Sequence, residues 1–551
     1  MSKVEVLKFG SSVLRSSADL YLAVDEIYRR WRGGRRVLAV VSAFEGVTNK
    51  LLGEITDLLG EDCPEATAAY LSTGEQQTAA LLLGSLRRCG LPARIVDPRE
   101  IGLVAEGLVT ESSPVRIDQI ELLNQLWNCY PILVLPGFYG INEDGSIALF
   151  GRGGSDLSAL FLAGALGAEV RLVKDVAGVY DADPASSTLA HRFCALCWDK
   201  AIEVSGPLIQ PKALQYARSR ALPFEVGRPN DSTCTQVGEA QDQWAAPTPA
   251  LKPLRIVLLG CGVVGRGVYE MIKRYPDRFE IAHVVVRDIQ KYPDVEHLTT
   301  EHSTVLDETI DVAIVCFGGV TLAYSLMAAA LNAGKCVITA NKAAVAAHGE
   351  YFADFTRGKT RQFWCSATVG GALPALETLQ ALNSRVREIR GIVNGTCGVV
   401  LEEWARGKTR EEAISIAQAA GFAEANPCRD ISGRDSADKL SLMIQAAFGE
   451  WLAPADVPTL GIDTLKNGFG EHQLIARAKR TPIGIVASVA PESPPPLSFL
   501  GQARGPENRL EIELETGEII RLRAQGAGRW PTSVSVIGDL FELRRQVEDS
   551  R

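Results

Sequence analysis

The chain has 551 residues, 46% hydrophobic and 22% charged, with a formal net charge of −9. That size allows about three to four domains with real cores. The acidic balance removes any general electrostatic basis for holding nucleic acid or anionic lipid, so an anionic ligand needs local cations. MSKVEVLKFG runs straight into a strand without a signal-peptide core, and the longest apolar runs, RIVLLG and PILVLPGFYG, are too short to cross a bilayer. The expected setting is the cytoplasm, with no membrane or nucleic-acid partner. Twelve cysteines are scattered, and the close pair Cys194 and Cys197 has no second pair to complete a metal site. They read as reduced thiols.

From residue 1 to about 238, short apolar strands alternate with helical segments. VEVLKFG, RRVLAVVSA, PARIVD, YPILVLPGF and EVRLVKDV are the strands. This alternation predicts an α/β domain with a mainly parallel sheet. Lys8 ends the first strand beside Gly10, where a charge and backbone N–H groups can meet a transferring phosphoryl group. STGE is expected to put Glu75 at a turn, facing an ammonium group. FGRGGSD places Gly153 and Gly154 before a helix start at Ser155, a phosphate cradle, with Arg152 ready to grip a carboxylate. KDVAGVYDADP sets Asp175, Tyr180 and Asp183 after another strand.

Residues 239–253 are polar, rich in Pro and Ala and without period, and read as a linker. A second α/β pattern starts at Leu254. RIVLL, the turn Gly260-Cys261-Gly262-Val263-Val264-Gly265 and a helix form a strand–turn–helix unit. Its three glycines permit the tight turn, the close approach of a pyrophosphate and helix–strand packing. At the end of the second strand, Arg287 with Lys291 favours NADPH, while Asp288 leaves NADH open. Lys342 follows another strand, where such sheets receive ligands. Asp435 and Lys439 are spaced to share one helix face, a pattern that is commonly a surface ion pair.

The first half resembles aspartokinase, of the amino acid kinase family. KFGSSV, VVSAFEGVTNKL, LSTGE, PGFYG, FGRGGSD, DVAGVYDADP and IQPKA carry the likeness in order over 3–238. It implies MgATP-dependent phosphorylation of the side-chain carboxylate of L-aspartate. Lys8 and Lys212 would contact ATP; Gly10, Gly153 and Gly154 would cradle phosphates; Asp175, Tyr180 and Asp183 would line the nucleotide site. Thr48, Glu75 and Arg152 would bind aspartate, and Asp156 would orient Lys8. The chain departs from the family at Ser11, Ser12 and Val13, at Lys174 in place of the common Thr, and at His191-Arg192.

The second half is similar to homoserine dehydrogenase. ITANK, SATVGGALPALETL, IRGIVNGT, GFAEANP, DISGRDSADKL and GAGRWPTSVSVIGDL carry the likeness over 254–551. It implies interconversion of L-aspartate 4-semialdehyde and L-homoserine with NADPH or NADH. Lys342 and Lys439 would bracket the reacting oxygen. Asp430 and Asp435 would bind the substrate amino group and orient the lysine, and Glu424 would hold homoserine. Gly260, Gly262, Val263, Val264, Gly265, Arg287, Asn394, Gly395 and Thr396 would contact the cofactor. Backbone carbonyls at Val369 and Gly371 would hold a monovalent cation. The departures are Ser366 for Glu, Asn426 for Asp and Gly398 for Asn.

The expected architecture is an amino acid kinase-type α/β/α domain (1–238), the linker (239–253), a Rossmann-type NAD(P)-binding domain (254–365), an α+β catalytic and dimerisation domain (366–525) and a C-terminal segment (526–551) returning to the Rossmann domain. The resemblances together imply a bifunctional aspartokinase/homoserine dehydrogenase that forms a homodimer or homotetramer. Such fusions normally carry ACT-type regulatory domains between the halves, and the linker is too short to build one. Feedback inhibition by that route is therefore not expected. The alternative is an active dehydrogenase whose kinase-like half only binds ligands, favoured by Ser11 and Lys174.

Overall fold

The strand Val4–Phe9 is buried on both faces from Glu5 onward, as its near-continuous apolar sequence requires of a central parallel strand. It lies parallel between Arg36–Val41 and Glu169–Val173. The computed structural model describes residues 3–60, 63–187, 189–206, 208–246, 251–356, 361–382, 385–423, 426–466 and 472–550. The chain divides into two units, Met1–Arg87 with Pro92–Pro249, and Arg88–Leu91 with Ala250–Arg551.

In the first unit a nine-stranded sheet runs Gln243–Trp244, Phe193–Cys197, Cys234–Gly238, Phe224–Gly227, Glu169–Val173, Val4–Phe9, Arg36–Val41, Ile132–Pro136, Ala93–Ile95. Only the pairings of Phe224–Gly227 with Cys234–Gly238 and of Phe193–Cys197 with Gln243–Trp244 are antiparallel. The helix Gly154–Leu166 packs on the central strands and is buried from Gly154 to Ala163. Its apolar side chains join Val6, Leu38, Leu133 and Leu172 in the main core.

Two expectations need correction. The segment read as a linker from 239 holds the strand Gln243–Trp244, anchored because Trp244 stacks on Phe193 with ring centroids 3.9 Å apart. Glu75 is not at a turn but inside the long helix Pro64–Arg88. Gly74 looks like a turn residue, yet its missing side chain serves packing: a Cβ there would stand 2.9 Å from Ala43 Cβ. A second sheet, Glu111–Ile117, Leu103–Leu108, Tyr139–Ile141 and Ile147–Leu149, had no clear sequence signal. Its strands are short, and Leu103–Leu108 is exposed over its last three residues.

In the second unit six parallel strands run Leu298–Thr299, Phe279–Val285, Leu254–Leu259, Val312–Val315, Cys336–Thr339, Phe363–Trp364. Numbered along this unit the order is 3-2-1-4-5-6, the doubly wound arrangement that opens a crevice where Leu254–Leu259 and Val312–Val315 part. A five-stranded antiparallel sheet follows, Gly484–Glu492, Gln473–Thr481, Val386–Ile392, Glu507–Leu514, Ile519–Gln525. The C-terminal helix Arg529–Asp549 packs against the first Rossmann helix Val263–Ile272, where Ser533 Oγ donates to Val264 O at 3.2 Å. Its buried Asp539 accepts from the hydroxyl and the N–H of Ser366, at 2.7 and 3.2 Å. Among the described residues, no helix is long and apolar enough to cross a membrane, and all twelve cysteines are free.

Candidate active sites

In the first unit the strand ends and the glycine loops enclose a cavity of about 940 Å³. Lys8, Gly10, Thr48, Glu75, Arg152, Gly153, Gly154, Asp156, Asp175, Tyr180 and Asp183 all line it, so residues spread over 170 positions meet in one place. Two glycines keep it open. A Cβ on Gly10 would lie 2.8 Å from Lys8 Nζ, and Gly153, at φ +74°, has no room for one against Gln210. Gly153 caps the helix Gly154–Leu166, whose first N–H groups attract an anion.

Three charged groups form the cavity floor. Lys8 Nζ is 2.8 Å from Asp156 Oδ1, and Lys174 Nζ is 3.0 Å from Asp156 Oδ2; all three residues are about 95% buried or more. Burial pulls the Lys8 ammonium down, Asp156 opposes and Lys174 adds to the fall, and it settles at about 8. Burial works against the Asp156 carboxylate too, but Lys174 and Lys8 outweigh it and hold it below the usual range. Glu75 is different. Burial pushes it up to about 8 although its Oε1 accepts the Ala43 N–H at 3.0 Å. Its Oε2 is buried without a hydrogen-bond partner among the described residues. Lys212 is turned to the chain itself: its ammonium donates to Ser112 O at 2.6 Å, Phe150 O at 3.1 Å and Glu111 Oε1 at 3.2 Å. It is not among the residues that line the cavity; Glu111 is.

In the second unit Gly260 takes φ +94°, and a Cβ on Gly265 would stand 2.0 Å from Gly260 O, so strand and helix touch backbone to backbone. Val263 and Val264 open the helix that Gly262 caps. Arg287 is exposed just past Phe279–Val285 and makes no ion pair among the described residues, whereas Asp288 caps the next turn by accepting from Gln290 N at 3.1 Å.

Lys342 begins a short helix at the carboxyl end of Cys336–Thr339. Its ammonium pairs with Asp435 Oδ1, while Lys439 Nζ reaches Asp435 Oδ2 at 2.8 Å and also donates to Val393 O. The pair that spacing alone would leave on the surface is therefore buried: Asp435 is 2% exposed and Lys439 8%. Burial opposes the Asp435 charge, but Lys439 and Lys342 overcome it and hold the carboxyl well below the ordinary range. Burial also opposes the Lys342 charge, and Asp435 raises the ammonium above its usual value. Asp430, lifted by burial and by Asp435, is tied to Asp435 through Asn394, whose amide donates 2.7 Å to Asp430 Oδ1 and 2.8 Å to Asp435 Oδ2.

Asn394 and Thr396, expected at the cofactor, have their side chains engaged inside the protein. Asn394 Oδ1 caps the helix Gly395–Ala405 through Cys397 N, and Thr396 Oγ1 donates to Phe422 O. Gly395 lies against Pro506 O, leaving a Cβ 2.9 Å of clearance. At Gly398, one of the departures, a Cβ would sit 2.3 Å from Gly505 O. Glu424 lies outside the described residues. Val369 follows the turn Ser366–Thr368, and Gly371, at φ +61°, sits beneath Gly526 O. Two contributors escaped sequence reasoning. Asn341 caps the Lys342 helix and donates to Phe317 O at 2.8 Å and Gly319 O at 2.7 Å, locking two strand ends together. Asn-before-helix was a legible capping signal; Asp539, far along the chain, gave none.

Three family models match the chain. Residues 3–226 match the amino acid kinase family, 260–362 the NAD-binding domain of homoserine dehydrogenase and 374–541 homoserine dehydrogenase. A homoserine dehydrogenase of Bacillus subtilis is 32% identical over 321 residues, 54% of this chain and 74% of that protein. A crystal structure of a homoserine dehydrogenase from Thiobacillus denitrificans aligns at TM-score 0.50 and 29% identity, covering 54% of this chain and 74% of that one. An aspartokinase of Pseudomonas aeruginosa is 29% identical over 225 residues, 40% of this chain, which spans about half (54%) of that kinase. An amino acid kinase-type domain and a homoserine dehydrogenase-type NAD-binding domain thus share one α/β chain. The chain belongs to the homoserine dehydrogenase family and carries an aspartokinase-like domain in front of it.

Proposed function

We propose that the protein catalyses two reactions: phosphorylation of the L-aspartate side chain by MgATP, and NAD(P)H-dependent interconversion of L-aspartate 4-semialdehyde and L-homoserine. The observation that carries the second is the Lys342–Asp435–Lys439 cluster beside the nucleotide crevice, with Asp435 and Lys439 buried and Lys342 partly exposed. The glycine turn, backbone against backbone, fits a dinucleotide pyrophosphate. The nicotinamide, when bound, supplies the hydride. Asp435 keeps Lys342 charged, and that ammonium, the more exposed of the two, gives a proton to the semialdehyde oxygen as it becomes an alcohol. Lys439, buried on Val393 O, fixes Asp435 from behind. Arg287, without an ion pair among the described residues, supports NADPH, because Asp288 is already engaged as a cap. Support for a monovalent cation near Val369 and Gly371 comes from Asn508: it is fully buried beside Gly370 and Gly526, and neither amide atom has a hydrogen-bond partner among the described residues.

For the kinase, Lys8 and the glycine loops take the phosphates, with Asp156 orienting Lys8; Glu75, Arg152 and Thr48 take aspartate. Catalysis of this kind is mostly positioning and charge neutralisation. A second reading, that this half only binds ligands, draws on one observation: Lys174 competes with Lys8 for the same carboxylate. The proposed setting is a cytoplasmic homodimer or homotetramer. NADPH consumption with L-aspartate 4-semialdehyde tests the dehydrogenase; turnover unchanged in Lys342→Met would remove the assigned role.

A further inference from the structure

The floor of the first cavity carries two ammonium groups and one carboxylate, each about 95% buried or more. Glu75 does not restore balance, since burial keeps its carboxyl largely protonated at neutral pH. An uncompensated positive charge in so dry a place is costly unless an anion completes it. The donors point the same way. All three N–H bonds of Lys212 have protein acceptors, Ser112 O, Phe150 O and Glu111 Oε1. Lys174 donates only to the two oxygens of Asp156 among the described residues, at 3.0 and 3.3 Å, and its side chain lines the cavity. The strand position accounts for this: Lys174 follows Glu169–Val173, the parallel neighbour of the strand that bears Lys8, so both lysines leave the sheet at the same end.

We propose that Lys174 is a second phosphoryl-binding lysine, acting with Lys8 across Asp156, while Lys212 holds the surrounding backbone in place. The inference rests on the kinase reading of this site. In the transfer, an aspartate carboxylate oxygen forms the new bond to the γ-phosphorus as the bond from that phosphorus to the β,γ-bridging oxygen breaks, and ADP leaves with that electron pair. No proton moves. The two ammoniums would hold the non-bridging oxygens of the moving group.

The test uses the full chain and two readouts. Calorimetric titration with Mg·ADP and with the magnesium complex of a non-hydrolysable ATP analogue reports the γ-phosphate contact without turnover. Lys174→Met should weaken the ATP analogue about tenfold or more and ADP by less than about threefold. Aspartate-dependent hydroxamate formation should fall about 100-fold in the same variant, with dehydrogenase activity unchanged as a check on folding. Lys174→Arg should recover part of both. The proposal is overturned if Lys174→Met binds the ATP analogue as the wild type does, if wild type binds neither nucleotide, or if Lys174→Met or Lys174→Thr turns over faster than wild type, which would make the lysine an obstruction. Analogue binding that depends on Lys174, without hydroxamate from any form, would sink the kinase reading and leave the phosphate site standing.

Discussion

Replacing Asp435 by Asn tests the dehydrogenase centre most sharply. The substitution keeps the shape and removes the charge that Lys342, Lys439 and Asn394 all address. Breaking one side of a buried ion pair costs about 3–5 kcal/mol. The Lys342 side chain is 40% exposed, so its share is screened, whereas the Lys439 share is buried. The lower end, about 3 kcal/mol, is therefore appropriate. For a unit of this size that lowers Tm by roughly 6 °C. Displacing Lys342 from the reacting oxygen should cost about 100-fold in kcat. Homoserine oxidation with NADP reads the rate, and calorimetry reads the Tm. Because Asp435 is held below its ordinary range in the folded protein, its stabilisation is complete above about pH 4 and is lost as pH falls through its folded value. The Tm gap between Asp435→Asn and wild type should accordingly narrow in acid. Wild-type kcat with an unchanged Tm would refute the assignment; a lowered Tm with unchanged kcat would make the cluster purely structural.

Glu75→Gln should stabilise the first unit increasingly as pH rises from about 5 to 8: the raised carboxyl favours folding only while protonated, and that contribution is lost as pH climbs toward about 8. Thermal melts across that range check it, and a pH-independent difference would be contrary. Gly398→Ala forces a Cβ to 2.3 Å from Gly505 O and should cost about 1–3 kcal/mol, read by denaturant unfolding. Arg287→Ala should lower the NADP-over-NAD ratio of kcat/KM by about tenfold; an unchanged ratio would remove Arg287 from the 2′-phosphate.

Much of the second unit was legible because local chemistry and topology coincide there. A glycine turn between strand and helix marks the crevice, and Lys342 stands at a strand end. The spacing of Asp435 and Lys439 gave their shared face but not their burial, since a buried pair and a surface pair look alike in sequence. In the first unit Gly74 misled: its role depends on Ala43, brought close only by the fold. Gln243–Trp244 was unreadable for the same reason, as two residues become a strand only through Phe193. Lys174 was visible as a departure, but its effect depended on where Asp156 and Lys212 put their hydrogen bonds.

The claim that one chain carries two chemistries is tested most directly by trapping the acyl phosphate. Purified protein is given ATP, magnesium, L-aspartate and hydroxylamine while semialdehyde reduction is followed in parallel. The account predicts aspartate-dependent hydroxamate that disappears in Lys8→Ala, with reduction of the semialdehyde untouched. A working dehydrogenase without hydroxamate, or hydroxamate that survives Lys8→Ala, would contradict it.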